Sequence, residues 1–177
     1  MIQGPGRLSL PTRRLFCRNL LVLPGLAALG GCGGGAASVK TNALEFTIQA
    51  DQEINLNENN EPSPIVIRVY ELKTKSAFEQ ASFFELLDGD TTKLGADLVA
   101  KREFEVKPGD KSTFTRDSPS DAKHIGVIAG FRQIEAATWR SVVDIVQDRN
   151  NSFVISVTAL AVKIELAGAT RSMPGLF

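Results

Sequence analysis

The side chains on which most enzyme chemistry depends are nearly missing from this 177-residue chain, which has one histidine, His124, and two cysteines, Cys17 and Cys32. No His-Glu-x-x-His, no Gly-x-Ser-x-Gly and no phosphate-cradling glycine loop opening a helix occurs in it. His124 stands just before an apolar run that starts at Ile125 and has no cysteine to share a metal ion, so it reads as a rim residue rather than a catalytic base. Asp88-Gly89-Asp90 opens like a calcium loop but lacks the alternating oxygen ligands and the closing glutamate, and reads as the turn that ends a helix. No metal, cofactor or small-molecule substrate is expected. A basic excess is missing too: 20 Lys and Arg balance 20 Asp and Glu, which leaves no electrostatic footprint for nucleic acid. Apolar runs are short, and the longest, near the start, falls below the roughly 20 residues that cross a bilayer as a helix.

What is present begins at the N-terminus. Arg7, Arg13, Arg14 and Arg18, with no acid among them, precede an uncharged run from Leu20 to Gly31 and then Cys32. This is the anatomy of a secretory signal over residues 1–31. Leu29-Gly30-Gly31-Cys32 resembles a lipobox, in which the cysteine thiol is alkylated by a diacylglycerol and becomes the new N-terminus, so Cys32 is the expected lipidation site. Thr12-Arg13-Arg14-Leu15-Phe16-Cys17-Arg18 resembles a twin-arginine motif; that route and the general one both lead out of the cytoplasm. Cleavage removes four arginines and no acid, so the mature chain carries a net charge of −4. Cys17 leaves with the signal and Cys32 is consumed by lipid, so no disulfide is expected even in an oxidising compartment. The Gly-rich residues 32–42 read as the lipidated cysteine and a flexible tether. Gly33, not Asp, follows the cysteine, which by the sorting pattern of such proteins favours the outer membrane.

Residues 43–177 fit one domain. Leu44, Phe46, Ile48 and Ala50 alternate with polar residues, the period of a half-buried strand. Residues 52–64 are rich in Asn and Pro and read as a loop, and residues 65–70 as a second strand. Ser76-Ala77-Phe78-Glu79 and Ser82-Phe83-Phe84-Glu85 each have capping-box spacing, which predicts one irregular helix or two short ones over residues 76–87. Its three phenylalanines are expected to cover one end of a core. Residues 103–106 and 112–115 around Lys107-Pro108-Gly109-Asp110 read as a hairpin. Alternation continues at Ile125, Val127, Ala129 and Phe131 and again over residues 142–146, and residues 153–166 read as one long central strand. About seven strands with one helical insertion predict a mainly β fold, a two-sheet β-sandwich. Trp139 and Tyr70 are expected in core or rim packing.

Several short words, in order, resemble the outer-membrane lipoprotein of the type VI secretion system, the TssJ family. They are Pro62-Ser63-Pro64-Ile65-Val66-Ile67-Arg68-Val69-Tyr70-Glu71-Leu72, then Phe78, Phe83-Phe84-Glu85-Leu86, Leu94-Gly95-Ala96-Asp97-Leu98, Lys107-Pro108-Gly109, Ile125-Gly126-Val127-Ile128-Ala129-Gly130-Phe131-Arg132 and Trp139-Arg140. The resemblance covers nearly all of the mature domain and leaves out residues 168–177. It implies a transthyretin-like sandwich with an added helix, held by lipid at the inner leaflet of the outer membrane, with no enzymatic activity. It also implies a partner, the periplasmic domain of the inner-membrane protein TssM, bound so as to dock the contractile injection machine.

The same resemblance implies that the loop between the first two strands makes that contact. The expected binding residues are Asn55, Leu56, Asn57, Glu58, Asn59 and Asn60, because an asparagine offers both a donor and an acceptor without a charge. With only Ile54 and Leu56 apolar, the loop has little reason to be buried. Two other readings compete. A periplasmic lipoprotein that holds a small ligand between its sheets would need a cavity, whereas Phe46, Phe104 and Phe153 point to a filled core. The other is an enzyme using His124 with a nearby carboxylate, which normal secretion by a His124→Ala variant would dispose of.

Overall fold

The computed structural model describes residues 41–171, with side chains to Ala169. The expected export signal, Cys32 and most of the expected tether, and the tail from residue 172 lie outside the described residues. Eight strands form two four-stranded sheets among them. The first, in spatial order β4, β1, β7, β8, comprises Lys111–Pro119, Thr41–Ala50, Arg149–Val157 and Val162–Arg171. The second, in the order β3, β2, β5, β6, comprises Leu98–Val106, Ile65–Leu72, His124–Ala129 and Arg140–Asp144. Every pairing is antiparallel except β1 with β7.

The two-residue period of β1 does what the alternation requires: Leu44, Phe46 and Ile48 are buried between the sheets, while Glu45 and Gln49 face water. Register places Phe46 opposite both Phe114 on β4 and Phe153 on β7. The rings stack in a row, Phe153 to Phe46 at 5.3 Å, Phe46 to Phe114 at 4.8 Å and Phe114 to Phe104 at 4.6 Å, and the Arg102 guanidinium closes the row 4.9 Å above Phe104. The sandwich is therefore filled across its width to the open side between β3 and β4. Burial of each ring contributes on the order of 1.5–3 kcal/mol.

The second sheet is apolar on both faces. Ile67, Val69, Ile125 and Val127 point into the sandwich, and Tyr70, Leu72 and Ile128 point out, under a helical hairpin. The hairpin is α1, Ser76–Gln80, and α2, Phe83–Leu94, followed by a 3₁₀ turn, Gly95–Asp97. Of the two predicted capping boxes only the second forms: Ser82 and Glu85 satisfy each other's backbone amides, whereas α1 starts at Lys75 with no side-chain cap. Gly89 is a kink inside α2 rather than its end, with φ −142° and ψ 31°.

Two arginines of the sheet donate to helix carbonyls, one at the kink of α2 and one at the end of α1. Arg68 Nη1 donates to the carbonyls of Leu86 and Leu87 at 3.2 and 2.7 Å, beside the kink, and Arg140 Nη1 donates to those of Phe78 and Ala81, both at 2.8 Å. A cation at a helix C-terminus also meets the negative end of the helix dipole. Asp90, buried at the kink, completes the clasp with Lys101 at 2.7 Å and Arg68 at 3.6 Å. Burial pushes the Asp90 carboxyl up, but hydrogen bonds from Lys101 and Thr91 outweigh it and hold the group below the usual carboxylate range. Burial pushes the Tyr70 hydroxyl beside it up to about 12.

Three expectations are corrected. β3 and β4 do not form a hairpin: β3 pairs with β2 and β4 with β1, so the turn at residues 107–110 carries the chain from one sheet to the other. Phe104 and Phe114 meet as tilted rings across that gap rather than as backbone partners. Residues 153–166 are two strands, because residues 158–161 reverse the chain with Thr158 N donating to Ala161 O at 2.9 Å. Finally, the helical phenylalanines cover the outer face of the second sheet, not an end of the core, and Phe84 is 62 % exposed. Adjacent helical residues point about 100° apart, so Phe83 and Phe84 cannot share a buried face.

Candidate functional site

The loop at residues 51–64 leaves β1 at Ala50, the opposite end of that strand from Thr41, where the tether enters. Ten residues of strand hold the two points about 30 Å apart. Three further connections lie at the same end as the loop. The turn at 107–110 bonds to it through Gly109 N to Asp51 O at 3.0 Å, the β7–β8 turn through Asn55 N to Ala159 O at 3.4 Å, and the β5–β6 connection through Arg132 N to Asn55 Oδ1 at 2.9 Å.

Within the loop the six expected binding residues divide into a root and a tip. Asn55 is buried in the left-handed region at φ 50°, and both ends of its amide are engaged: Nδ2 donates to Pro64 O at 2.8 Å while Oδ1 accepts from Arg132 N. It is a buried latch between two loops, contrary to the expectation that the loop has little reason to be buried. Ile54 beside it is fully buried and Leu56 partly so.

Asn57 organises the tip. Its Oδ1 accepts from the amides of Asn59 and Glu61, both at 2.9 Å, and its Nδ2 donates to Glu61 Oε2 at 2.9 Å. Asparagine suits this position because its short amide can replace backbone partners in a turn. Glu58, Asn59 and Asn60 are exposed above it, with Asn60 at φ 59°. The tip is thus a preformed polar knob. The Arg132 backbone and side chain border it, forming with Leu56, Asn57, Glu58 and Gln133 a shallow open hollow.

His124 lies away from the loop and has a carboxylate beside it. His124 Nδ1 lies 2.7 Å from Asp144 Oδ1 at the opposite, tether-side end, and Lys75 is 3.7 Å from the same carboxylate. That hydrogen bond from His124 holds the Asp144 carboxyl below its ordinary range. Among the described residues no group of three or more His, Cys, Asp or Glu side chains could hold a metal ion, and no helix is long and apolar enough to cross a membrane.

Sequence reading missed Val66 and Phe84 as surface residues, 43 % and 62 % exposed, with Leu87 at 37 % on the same helix as Phe84. The doublet Phe83-Phe84 was the available signal. It also missed Arg132, whose place beside the loop depends on a contact between residues far apart in sequence.

Comparison with known proteins gives a consistent result. The family described as Type VI secretion lipoprotein, VasD, EvfM, TssJ matches residues 42–160. The T6SS lipoprotein TssJ1 from Pseudomonas aeruginosa is 30 % identical with a TM-score of 0.70, over 73 % of this chain and 99 % of that one. A chain in the structure of the T6SS protein TssM C-terminal domain from EAEC is 25 % identical with a TM-score of 0.58, over 70 % of this chain and 97 % of that one. A chain of a type VI membrane complex is 27 % identical with a TM-score of 0.59, over 73 % of this chain and all of that one. No curated protein matches the sequence.

Proposed function

This chain belongs to the type VI secretion lipoprotein family that includes TssJ, and from that membership we propose that it anchors a type VI membrane complex to the outer membrane. Its loop end binds the periplasmic domain of the inner-membrane protein TssM and so docks the contractile injection machine, and no catalytic step is involved. The family is one of secretion-system lipoproteins rather than of enzymes.

The observation that carries this reading is the opposition of the two ends of β1. A lipid on Cys32 can lie no further from Thr41 than nine residues of extended chain, about 30 Å. The knob around Asn57 leaves the other end of the same strand. A domain tethered at one end can therefore reach a partner with a stiff polar loop at the other, with the length of the strand added to that of the tether. Stiffness favours binding, since a loop already held by its own hydrogen bonds has less entropy to lose. The likeness to a chain in a TssM structure supports the partner: the TssM span named there is longer than this whole chain, whereas the matched chain is shorter than it. A lipoprotein that holds a small ligand between its sheets would need the space that Phe153, Phe46, Phe114 and Phe104 occupy.

Replacing residues 58–60 with Gly-Ser-Gly leaves the Asn55 latch in place. We expect it to preserve folding and membrane fractionation while weakening binding to purified TssM periplasmic domain in calorimetry and stopping secretion. Unchanged affinity in a folded variant would move the contact off the knob. Cys32→Ser is expected to release the exported domain from the outer-membrane fraction, and an unmodified cysteine in the wild-type mass spectrum would refute the anchor.

A further inference from the structure

We propose that the partner-binding surface continues from the loop across Val66, Phe84 and Leu87, and that it receives a segment of the partner whose apolar side chains are flanked by lysine or arginine. This rests on the reading above and names the chemistry of the second half of that interface.

The three exposed apolar side chains adjoin the loop through a continuous set of contacts. Val66 follows the loop's Pro-Ser-Pro exit by two residues, and its carbonyl accepts from Gly130 N at 2.9 Å. The Phe83 ring lies 3.9 Å from where a Gly130 Cβ would stand, and Phe84 packs edge-on against Phe83 at 5.5 Å. Arg68, on the same face of β2 as Val66, holds the Leu87 carbonyl at 2.7 Å. Beyond Phe84 a shallow, open hollow lies over Gly89, where an added Cβ would meet nothing within 4 Å. Phe84 on one side and Thr92 and Lys93 on the other line it. An exposed aromatic beside an open hollow has the form of an interface anchor, and anchors of this kind carry most of the binding energy where a polar knob carries register.

Charge decides the kind of occupant. Residues 51–64 contain Asp51, Glu53, Glu58 and Glu61 and no basic residue. The hairpin over residues 76–94 turns Glu79, Glu85 and Asp88 outward against a single Lys93, which is already tied to Glu85 at 2.7 Å. Arg132 and Glu135 of the neighbouring connection cancel. An apolar strip bordered by acids on both sides complements a basic amphipathic segment and repels an anionic bilayer or another copy of itself.

The test titrates the full lipoprotein in detergent with purified TssM periplasmic domain at low and high salt, and measures its self-association and its binding to phospholipid vesicles in parallel. Phe84→Ser should weaken the complex at least about tenfold with an unchanged melting curve. Asp88→Lys should slow association and flatten its salt dependence. Gly89→Gln fills the hollow without removing a contact and should also weaken binding, which keeps the inference testable if Phe84→Ser misfolds. Wild-type affinity in folded Phe84→Ser and Gly89→Gln, alongside weakened binding by the loop variant, would overturn this inference and leave the loop as the whole contact. So would a loss confined to self-association or to vesicle binding. No complex with the wild-type lipoprotein would overturn the reading on which it rests.

Discussion

The two sheets show different outer faces. On the first, Glu45, Thr47, Thr113, Ser152, Lys163 and Glu165 face outward with no further layer over them among the described residues, joined by side-chain contacts such as Thr47 Oγ1 to Thr113 Oγ1 at 3.3 Å and Ser152 Oγ to Glu45 Oε2 at 3.0 Å. On the second, Tyr70, Leu72, Ile128 and partly buried Val142 would be apolar surface if the helical hairpin did not cover them. The backbone ladders tolerate either situation, since an antiparallel sheet can have one wet face. Side-chain character at alternate positions decides which face needs a third layer. The added layer brings its own polar groups: Arg68 and Arg140 of the sheet donate to its carbonyls, and Lys101 pairs with its buried Asp90.

If the covered face is a second core, emptying it should hurt as much as emptying the first. Phe78→Ala, beneath the hairpin, and Phe46→Ala, between the sheets, should each cost about 3–5 kcal/mol in denaturant unfolding. A loss below about 1 kcal/mol for Phe78→Ala would show the hairpin to be a loose cover. Closeness of packing gives a smaller effect of opposite kind. A Cβ on Gly126 would meet the Phe78 ring at 2.7 to 3.0 Å, so Gly126→Ala should cost about 1–3 kcal/mol, and Phe78→Leu in the same chain should recover part of it. Arg68→Met removes the donors at the kink and should cost about the same, 1–3 kcal/mol, with loss of amide protection confined to α2.

The pH response sharpens the contrast further. Hydrogen bonds from Lys93 and then Ser82 lower the Glu85 carboxyl to about 2. A depressed carboxyl pKa stabilises the fold above the unfolded value, near 4.5, and that contribution disappears as pH falls through about 2. Amide protection in the first turn of α2 should therefore weaken over that window in the wild type. Lys93→Met should raise the carboxyl titration read by NMR, and an unmoved titration would assign the shift to the cap alone. The smallest effect is expected on the bare face, where Thr47→Val should change stability by less than about 0.5 kcal/mol.

What the sequence determined by itself was whatever depends on neighbours along the chain. The alternation in β1 gave its inward face, Ser82 and Glu85 gave a helix start, and the asparagines and prolines of residues 52–64 gave a loop. The predicted filled core rested on Phe46, Phe104 and Phe153, and all three belong to the ring stack. What only the tertiary structure decided depends on which segments meet. The turn at Pro108-Gly109 announces a reversal, but whether β4 returns to the sheet of β3 depends on pairing with β1, more than sixty residues earlier. The reversal at residues 158–161 has no glycine or proline to mark it and is fixed by the partners of β7 and β8. Asn55 looks like its neighbours in sequence, yet it is a buried latch because Arg132 and Pro64 come to it. Periodicity records which side of an element is apolar; only long-range packing determines what lies against that side, and so which residues remain free for a partner.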